Sequence, residues 1–277
     1  MKSLTCDVAV IGAGTAGLAA RRAAVEAGAR TLLIEAGPGG TTCARVGCMP
    51  SKLLLAAARA ARDMRQAAIF GVQGKPRIDG RAVMARVQAE RDHFVAGVLS
   101  DVAAIPAREK LAGRARFAGP GVLTVDDHTR VEARAVVIAV GARPAVPPEL
   151  VRACGERLLT HETVFDLADL PKSLAVIGAG PLGLELAVAF ARLGVRVAVF
   201  DSGNAIGGAR DPKVAAAARA AFGKELTFHL GVEIEARRDR AGDLAIAWTT
   251  DAGRKRRGVF PFVLDAAGRP PSLDGLD

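Results

Sequence analysis

A glycine fingerprint that occurs twice, at a constant offset of 166 residues, constrains this chain more than any other feature. The first copy, Gly12-Ala-Gly14-Thr-Ala-Gly17, closes an apolar β-branched run over residues 6–12. Such a run reads as a buried parallel strand. A helical stretch follows to Gly28, then a second apolar run, Thr31-Leu-Leu-Ile34, ending on Glu35. Together these make a βαβ unit that carries the dinucleotide pattern. Gly12 permits the tight turn, Gly14 lets the backbone approach a pyrophosphate, and Gly17 lets helix and strand pack closely. The helix start turns its N–H groups and the positive end of its dipole toward the phosphates. Glu35 is placed to accept hydrogen bonds from ribose hydroxyls. The second copy is Gly178-Ala-Gly180-Pro-Leu-Gly183 after Leu174-Ala-Val-Ile177, with Gly194 matching Gly28 and Asp201 matching Glu35. Five coincident positions predict two dinucleotide sites in one polypeptide. Asp201 would bond a free 2′-hydroxyl and repel a 2′-phosphate, which favours NAD over NADP. Arg210, further on, is the cation that could oppose this preference.

Between the two fingerprints lies Gly39-Gly40-Thr41-Thr42-Cys43-Ala44-Arg45-Val46-Gly47-Cys48-Met49-Pro50-Ser51-Lys52. Two cysteines five residues apart on a regular helix are separated by about 7.5 Å of rise. A disulfide wants its Cα atoms roughly 4.4–6.8 Å apart. An unbroken helix is a poor host for a bridge, but Gly47 and Pro50 supply a bend between a loop and a helix start. A strained bridge of this kind is readily reduced, and such bridges tend to be catalytic. Two unlinked small residues, or half of a metal site, are the competing readings. Metal sites space cysteines more closely and recruit a second pair, and Cys6 and Cys154 are isolated.

With 277 residues, half of them hydrophobic, the chain can fill two domain cores. Four cysteines are too few for a secreted disulfide scaffold. Met1 leads directly into a strand, without a basic region and a long apolar run, so a cytoplasmic protein is expected. No uninterrupted apolar stretch of about 20 residues appears, and no membrane span is predicted. The formal charge of +9 raises nucleic-acid binding, but the cations are scattered and aromatics are 4%. The dense run Arg254-Lys255-Arg256-Arg257 reads as a solvated hairpin.

The remaining pattern predicts a helix from Leu53 to about Phe70. A second helix, Gly80 to about Ala104, has an apolar face at Val83, Val87, Phe94, Val98 and Leu99. Short strands are expected near Ala115–Phe117, Val122–Val125 and Val136–Val140. Arg143–Pro148 reads as a stiff linker. Residues 211–223 read as a helix and 226–264 as several strands. The expected class is α/β, with two Rossmann-like dinucleotide-binding domains. The linker separates residues 1–147, with the first fingerprint, from 148–267, with the second.

Two fingerprints flanking Gly-Gly-Thr-Thr-Cys-x4-Cys-Met-Pro-Ser-Lys resemble the pyridine nucleotide–disulfide oxidoreductases, dihydrolipoamide dehydrogenases above all. The resemblance covers essentially the whole chain. An extra Thr precedes Cys43, and Arg45 stands where many members carry Asn. Ala139-Val-Gly141 and Gly268-Arg-Pro270 resemble family signatures beside the flavin and the nicotinamide. The resemblance implies FAD on the first fingerprint and NAD on the second, with 1–147 a first segment of the flavin domain and 268–277 the beginning of a return to it. It implies a redox disulfide of Cys43 and Cys48, with Cys48 against the flavin and Cys43 exchanging with substrate. A helix start and Lys52 favour a thiolate there. Lys52 and Glu185 would pair beside the flavin. Thr42, Lys52, Ala115, Gly141 and Gly268 join the glycines and acids above as cofactor-binding positions, and no metal is implied. The substrate would be a lipoamide-like dithiol or disulfide, and the full-length form a homodimer.

That family's fold continues into a C-terminal dimerisation domain with a His–Glu pair as acid/base. Neither is found here, so the chain reads as truncated and the isolated piece is expected to be inactive in turnover. His93, His128, His161 and His229 read as structural or solvated, and tyrosine is absent. A nucleotide-binding fragment without turnover and a mercuric-reductase-like flavoprotein are the alternatives.

Overall fold

The computed structural model describes residues 1–238, 242–250 and 252–276. In chain order the elements are β1 (Lys2–Ile11), α1 (Thr15–Glu26), β2 (Thr31–Glu35), α2 (Thr42–Val46), α3 (Cys48–Gln66) and α4 (Gly80–Ala103). There follow β3 (Lys110–Ala112), β4 (Ala115–Gly119), β5 (Val122–Val125), β6 (Thr129–Ile138), α5 (Pro148–Cys154) and β7 (Leu158–Leu159). Next come β8 (Ser173–Ile177), α6 (Pro181–Arg192), β9 (Arg196–Asp201), α7 (Pro212–Phe222) and β10 (Thr227–Leu230). The series closes with β11 (Ile234–Arg238), β12 (Leu244–Thr249), β13 (Lys255–Val259) and β14 (Phe262–Asp265). The chain divides into two compact units. One comprises Met1–Arg45, Arg91–Arg143 and Pro270–Asp277, the other Val46–Glu90 and Pro144–Arg269.

The first unit is built on a six-stranded sheet in the order β3-β2-β1-β6-β5-β4. β1 lies parallel to β2 on one side and to β6 on the other. β6, β5 and β4 form an antiparallel meander. Ala9, Ile11, Leu32 and Ile34 point to one face and join Leu123, Val125 and Val131 in a buried cluster. Val10 and Leu33 bury the opposite face. Burial on both faces explains why the strands read as continuous apolar runs. β1 starts earlier than the apolar run suggests, because Lys2 to Thr5 pair with Thr129 to Glu132 of a distant strand. Similarly, the strand expected at Val136–Val140 is the end of the longer β6, which stops at Ile138.

The second unit holds an all-parallel sheet ordered β10-β9-β8-β14-β7. Leu174 and Val176 of β8 pack on one face with Leu186 and Phe190 of α6, Leu54 and Ala58 of α3, and Met84 and Val87 of α4. On the other face Ala175, Phe200 and Val263 meet Leu150 and Cys154 of α5 and Leu244, Ile246 and Phe260. The last three come from or adjoin a small antiparallel sheet, β11-β12-β13.

Several expectations need correction. The division at 147 placed residues 46–90 with the first nucleotide fold, whereas they belong to the second unit. The reason is the apolar face of α3, whose Leu54, Ala58 and Ala61 are buried in the second unit's core. At the other end, Gly268 and Arg269 stay with the second unit and the return begins at Pro270. α3 starts at Cys48 rather than Leu53, since Pro50 occupies its first turn, where no intrahelical donor is needed. On α4 the buried positions are Met84, Val87 and Val95, while Phe94 and Leu99 are each 39% exposed. The basic run does lie on a solvated hairpin: Lys255, Arg256 and Arg257 are exposed on β13, which among the described residues pairs antiparallel with β12 alone. Cations on an edge strand discourage pairing with other chains.

Candidate functional site

The first cradle is formed where β1 turns into α1. Gly12 has φ +104, and a Cβ there would lie 2.4 Å from the Ala139 carbonyl oxygen. A Cβ on Gly17 would come within 1.8 Å of the Gly12 carbonyl oxygen. Both glycines are thus required by packing. Gly14 differs: it is extended, and no atom lies within 4 Å of the place a methyl would take. It opens the backbone to a ligand. No side chain caps α1, so its leading N–H groups are available to an anion. Glu35 is anchored by two backbone donors, Ala13 N–H to Oε2 and Gly37 N–H to Oε1, both 2.6 Å. Its carboxylate is therefore fixed at the end of β2, beside the turn.

The second cradle repeats these contacts residue for residue. A Cβ on Gly178 (φ +103) would lie 2.7 Å from the Ala266 carbonyl oxygen, and one on Gly183 2.0 Å from that of Gly178. Gly180, like Gly14, meets nothing within 4 Å, and α6 has no side-chain cap. Asp201 accepts the Ala179 N–H at 2.6 Å and the Gly203 N–H at 2.7 Å. A cavity of about 780 Å³ opens at the carboxyl ends of β8, β9 and β14 and brings together Gly178, Gly180, Asp201 and Gly268. Ligands of open α/β sheets bind in this crevice. Arg269 and Glu233 also line it, whereas Arg210 is exposed and outside the lining. Open glycines, uncapped helix starts and a fixed acid fit a dinucleotide in both units.

The cysteine segment is two helices rather than a loop and a helix. Thr41, at φ +58, immediately precedes α2 and its Oγ1 accepts the Ala44 N–H at 3.1 Å. α2 ends at Val46, Gly47 takes a non-helical conformation, and Cys48 opens α3. Thr42 is exposed, Cys43 half-buried and Cys48 exposed. Of the two residues, Cys48 is the more exposed. The Ser51 hydroxyl donates to the Cys48 carbonyl at 3.1 Å.

Lys52 Nζ contacts both carboxylate oxygens of Glu185 at 2.8 Å, joining the first turns of α3 and α6. Burial pushes the Glu185 carboxyl up, but hydrogen bonds from Lys52 and Ser51 and the Lys52 charge outweigh it and leave the pKa below the ordinary value. Ser51 is a site residue that the sequence pattern did not single out. Gly37 and Gly203 are two more, although they obey the same offset of 166 and could have been found by it.

The other expected positions have less to offer. Ala115 is buried on β4, so only its backbone could meet a cofactor. Gly141, at φ +75, accepts the Ser272 N–H at 2.9 Å. His93 and His128 are exposed or partly so, and His128 Nδ1 lies 2.7 Å from Thr129 Oγ1. His229, on edge strand β10, stacks on Phe200 at 4.9 Å and lies 4.5 Å from the Trp248 ring. His161 is 2% exposed and its Nε2 lacks a partner. Among the described residues no group of His, Cys, Asp or Glu could hold a metal, and no helix is long and apolar enough to cross a membrane.

A family model described as pyridine nucleotide-disulphide oxidoreductase matches residues 6–277. Dihydrolipoyl dehydrogenase 3 of Pseudomonas aeruginosa is 33% identical over 282 residues, covering 98% of this chain and 59% of its own. A mercuric reductase of Shigella flexneri is 37% identical over 287 residues, covering 97% and 49%. A solved structure, the HOCl-induced flavoprotein disulfide reductase RclA from Escherichia coli, superposes with a TM-score of 0.78 at 21% identity, over 98% of this chain and 58% of that one. The chain therefore spans between 49% and 59% of the length of these relatives.

Proposed function

The chain belongs to the pyridine nucleotide-disulphide oxidoreductase family, and from that premise we propose an FAD- and NAD-dependent exchange of two electrons with a dithiol or disulfide substrate. The family is one of FAD- and NAD-using enzymes. The observation that carries the reading is the duplicated cradle: two glycine turns, each with an acid tied to the backbone, in a chain that also bears the cysteine stretch. Gly12, Gly14, Gly17 and Glu35 would hold FAD, with Thr42, Ala115 and Gly141. Gly178, Gly180, Gly183, Asp201 and Gly268 would hold NAD, with Asp201 selecting against a 2′-phosphate.

The exchange at the cysteines conserves atoms and electrons. The Cys43 thiolate attacks a substrate disulfide, forming a mixed disulfide and expelling one substrate thiolate, which takes up a proton. The Cys48 thiolate then attacks the Cys43 sulfur. This releases the second substrate thiolate and leaves a Cys43–Cys48 bridge. Two electrons have passed to the substrate, and the reverse course oxidises a dithiol. A bound flavin supplies the carrier between this pair and the nicotinamide. Glu185 holds the Lys52 ammonium at a fixed place in the first turn of α3, four residues from Cys48. A lipoamide-like substrate and a homodimeric working form complete the reading.

Alkylation with iodoacetamide, read by peptide mass spectrometry, tests it. Cys43 and Cys48 should label only after reduction by NADH or a dithiol. Cys6 and Cys154 should stay unlabelled in the folded protein, because burial raises both thiols, Cys154 to about 11. Equal labelling of Cys48 before and after reduction would falsify the bridge. A second reading, reduction of a metal ion as substrate, draws on the mercuric reductase at 37% identity. NADH oxidation driven by mercuric ion but not by lipoamide would favour it.

A further inference from the structure

A second cavity, of about 560 Å³, lies in the second unit at the amino ends of the parallel strands. Lys172 and Ser173 bring it to the start of β8, Arg196 to the start of β9, and Pro261 and Phe262 to the start of β14. The dinucleotide cradle uses the opposite, carboxyl ends of these strands. The two cavities share no residue.

Its charge is lopsided. Arg157, Lys172 and Arg196 line it, against Asp243 as the one carboxylate among the described residues of the lining. The Arg196 N–H donates to the Lys172 carbonyl at 3.3 Å, so the two cations stem from neighbouring backbone positions. Among the described residues neither has an acidic partner. Elsewhere in the same unit a comparable cation is matched: Arg192 pairs with Glu225 at 2.6 Å. With three cations against one described carboxylate the lining carries net positive charge, which a dianion would offset. Apart from Ser173, the remaining lining is apolar: Pro171, Val259, Phe260, Pro261 and Phe262. Small-ligand sites combine such walls with a few convergent polar groups.

We propose that this cavity is a binding site for a small organic phosphate, with its dianion between Lys172 and Arg196 and a flat apolar body against Phe260, Pro261 and Phe262. The site is independent of the dinucleotide reading above, since it uses none of the same residues.

The chain carries its own reporter. Trp248 is the single tryptophan and tyrosine is absent. Its ring lies 5.0 Å from that of Phe200, which lies 6.2 Å from that of Phe260 in the cavity wall. Phenyl phosphate should therefore titrate the Trp248 emission saturably, and calorimetry should give the same affinity. Phenol should not bind, and inorganic phosphate should bind more weakly than phenyl phosphate. Lys172→Glu and Arg196→Glu, at positions lining the cavity away from the cradle, should each weaken phenyl phosphate by about tenfold or more with unchanged circular dichroism. Saturating NAD should not displace the probe. Absence of saturable binding, displacement by NAD, or undiminished affinity in both charge-reversal variants would each overturn the site. Inorganic phosphate binding as tightly as phenyl phosphate would overturn the role given to the apolar walls.

Discussion

Within each fingerprint the glycines have separable jobs, and single methyl groups can tell them apart. Gly183 has no room, since a Cβ would sit 2.0 Å from the Gly178 carbonyl oxygen. Gly183→Ala must push α6 away from β8, and overpacking of this kind costs about 1–3 kcal/mol or more. Gly180 is extended at φ −67 and meets nothing within 4 Å. Gly180→Ala should melt like the parent yet weaken NADH by about tenfold or more, because its methyl stands where a pyrophosphate approaches. Thermal melts paired with NADH fluorescence titrations separate the two effects. Undiminished NADH affinity in Gly180→Ala would remove that residue from the binding surface. His161 supports a prediction of a different kind. Burial, and then the charge of Arg269, lower its pKa from 6.5 to about 4. Above pH 6.5 the imidazole is neutral in folded and unfolded chains alike. As pH falls from 6.5 toward 4, the unfolded chain takes up a proton that the folded one refuses, so stability declines across that window. The melting temperature should drop on that acidification, and His161→Gln should flatten the slope between pH 6.5 and 4 even if it lowers the plateau.

Among the elements, α3 carries a double load: it begins at a cysteine and buries its apolar face in the second unit's core. Leu54, fully buried against α6 and β8 residues, anchors it. Leu54→Ala should cost about 2–5 kcal/mol in urea unfolding. The exposed Leu-to-Ala equivalent on another segment, Leu273→Ala at 46% exposure, should change little. A small loss at Leu54 would mean that α3 is not held by this face. The same helix shows what a sequence can and cannot convey. Its apolar residues and its break at Gly47 are local patterns and are readable in the chain. Its packing partner is not, because Leu54 and Phe190 are brought together by a sheet order that no short window contains. β7, two residues long, leaves no periodicity to read at all. For the site, Glu35 and Asp201 were legible because a strand–turn–helix–strand fixes where the second strand ends. The Lys52–Glu185 contact spans 133 residues and was accessible only through family resemblance. The short helix α2, which carries Cys43, is only five residues long and leaves no periodicity to read.

At the scale of the whole chain, duplication is the central fact, and it extends beyond the glycines to matched hydrogen bonds from residues 13 and 37 to Glu35 and from 179 and 203 to Asp201. Each copy sits in a unit with its own buried core. Two complete cradles on two cores should bind two ligands separably. Gly14→Ala, free of steric conflict, should lower flavin retention after gel filtration while leaving NADH titration as in the parent. Gly180→Ala should do the reverse. The carboxylates give an orthogonal check, for each is held by two backbone donors. Asp201→Asn keeps the shape but exchanges one acceptor oxygen for a donor amide, so it should weaken NADH and narrow the gap between NADH and NADPH. Glu35→Gln should affect the flavin alone. If either glycine variant lost both ligands together while retaining the parent's melting temperature, the two cradles would be parts of a single site, and the assignment of one dinucleotide to each would have to be abandoned.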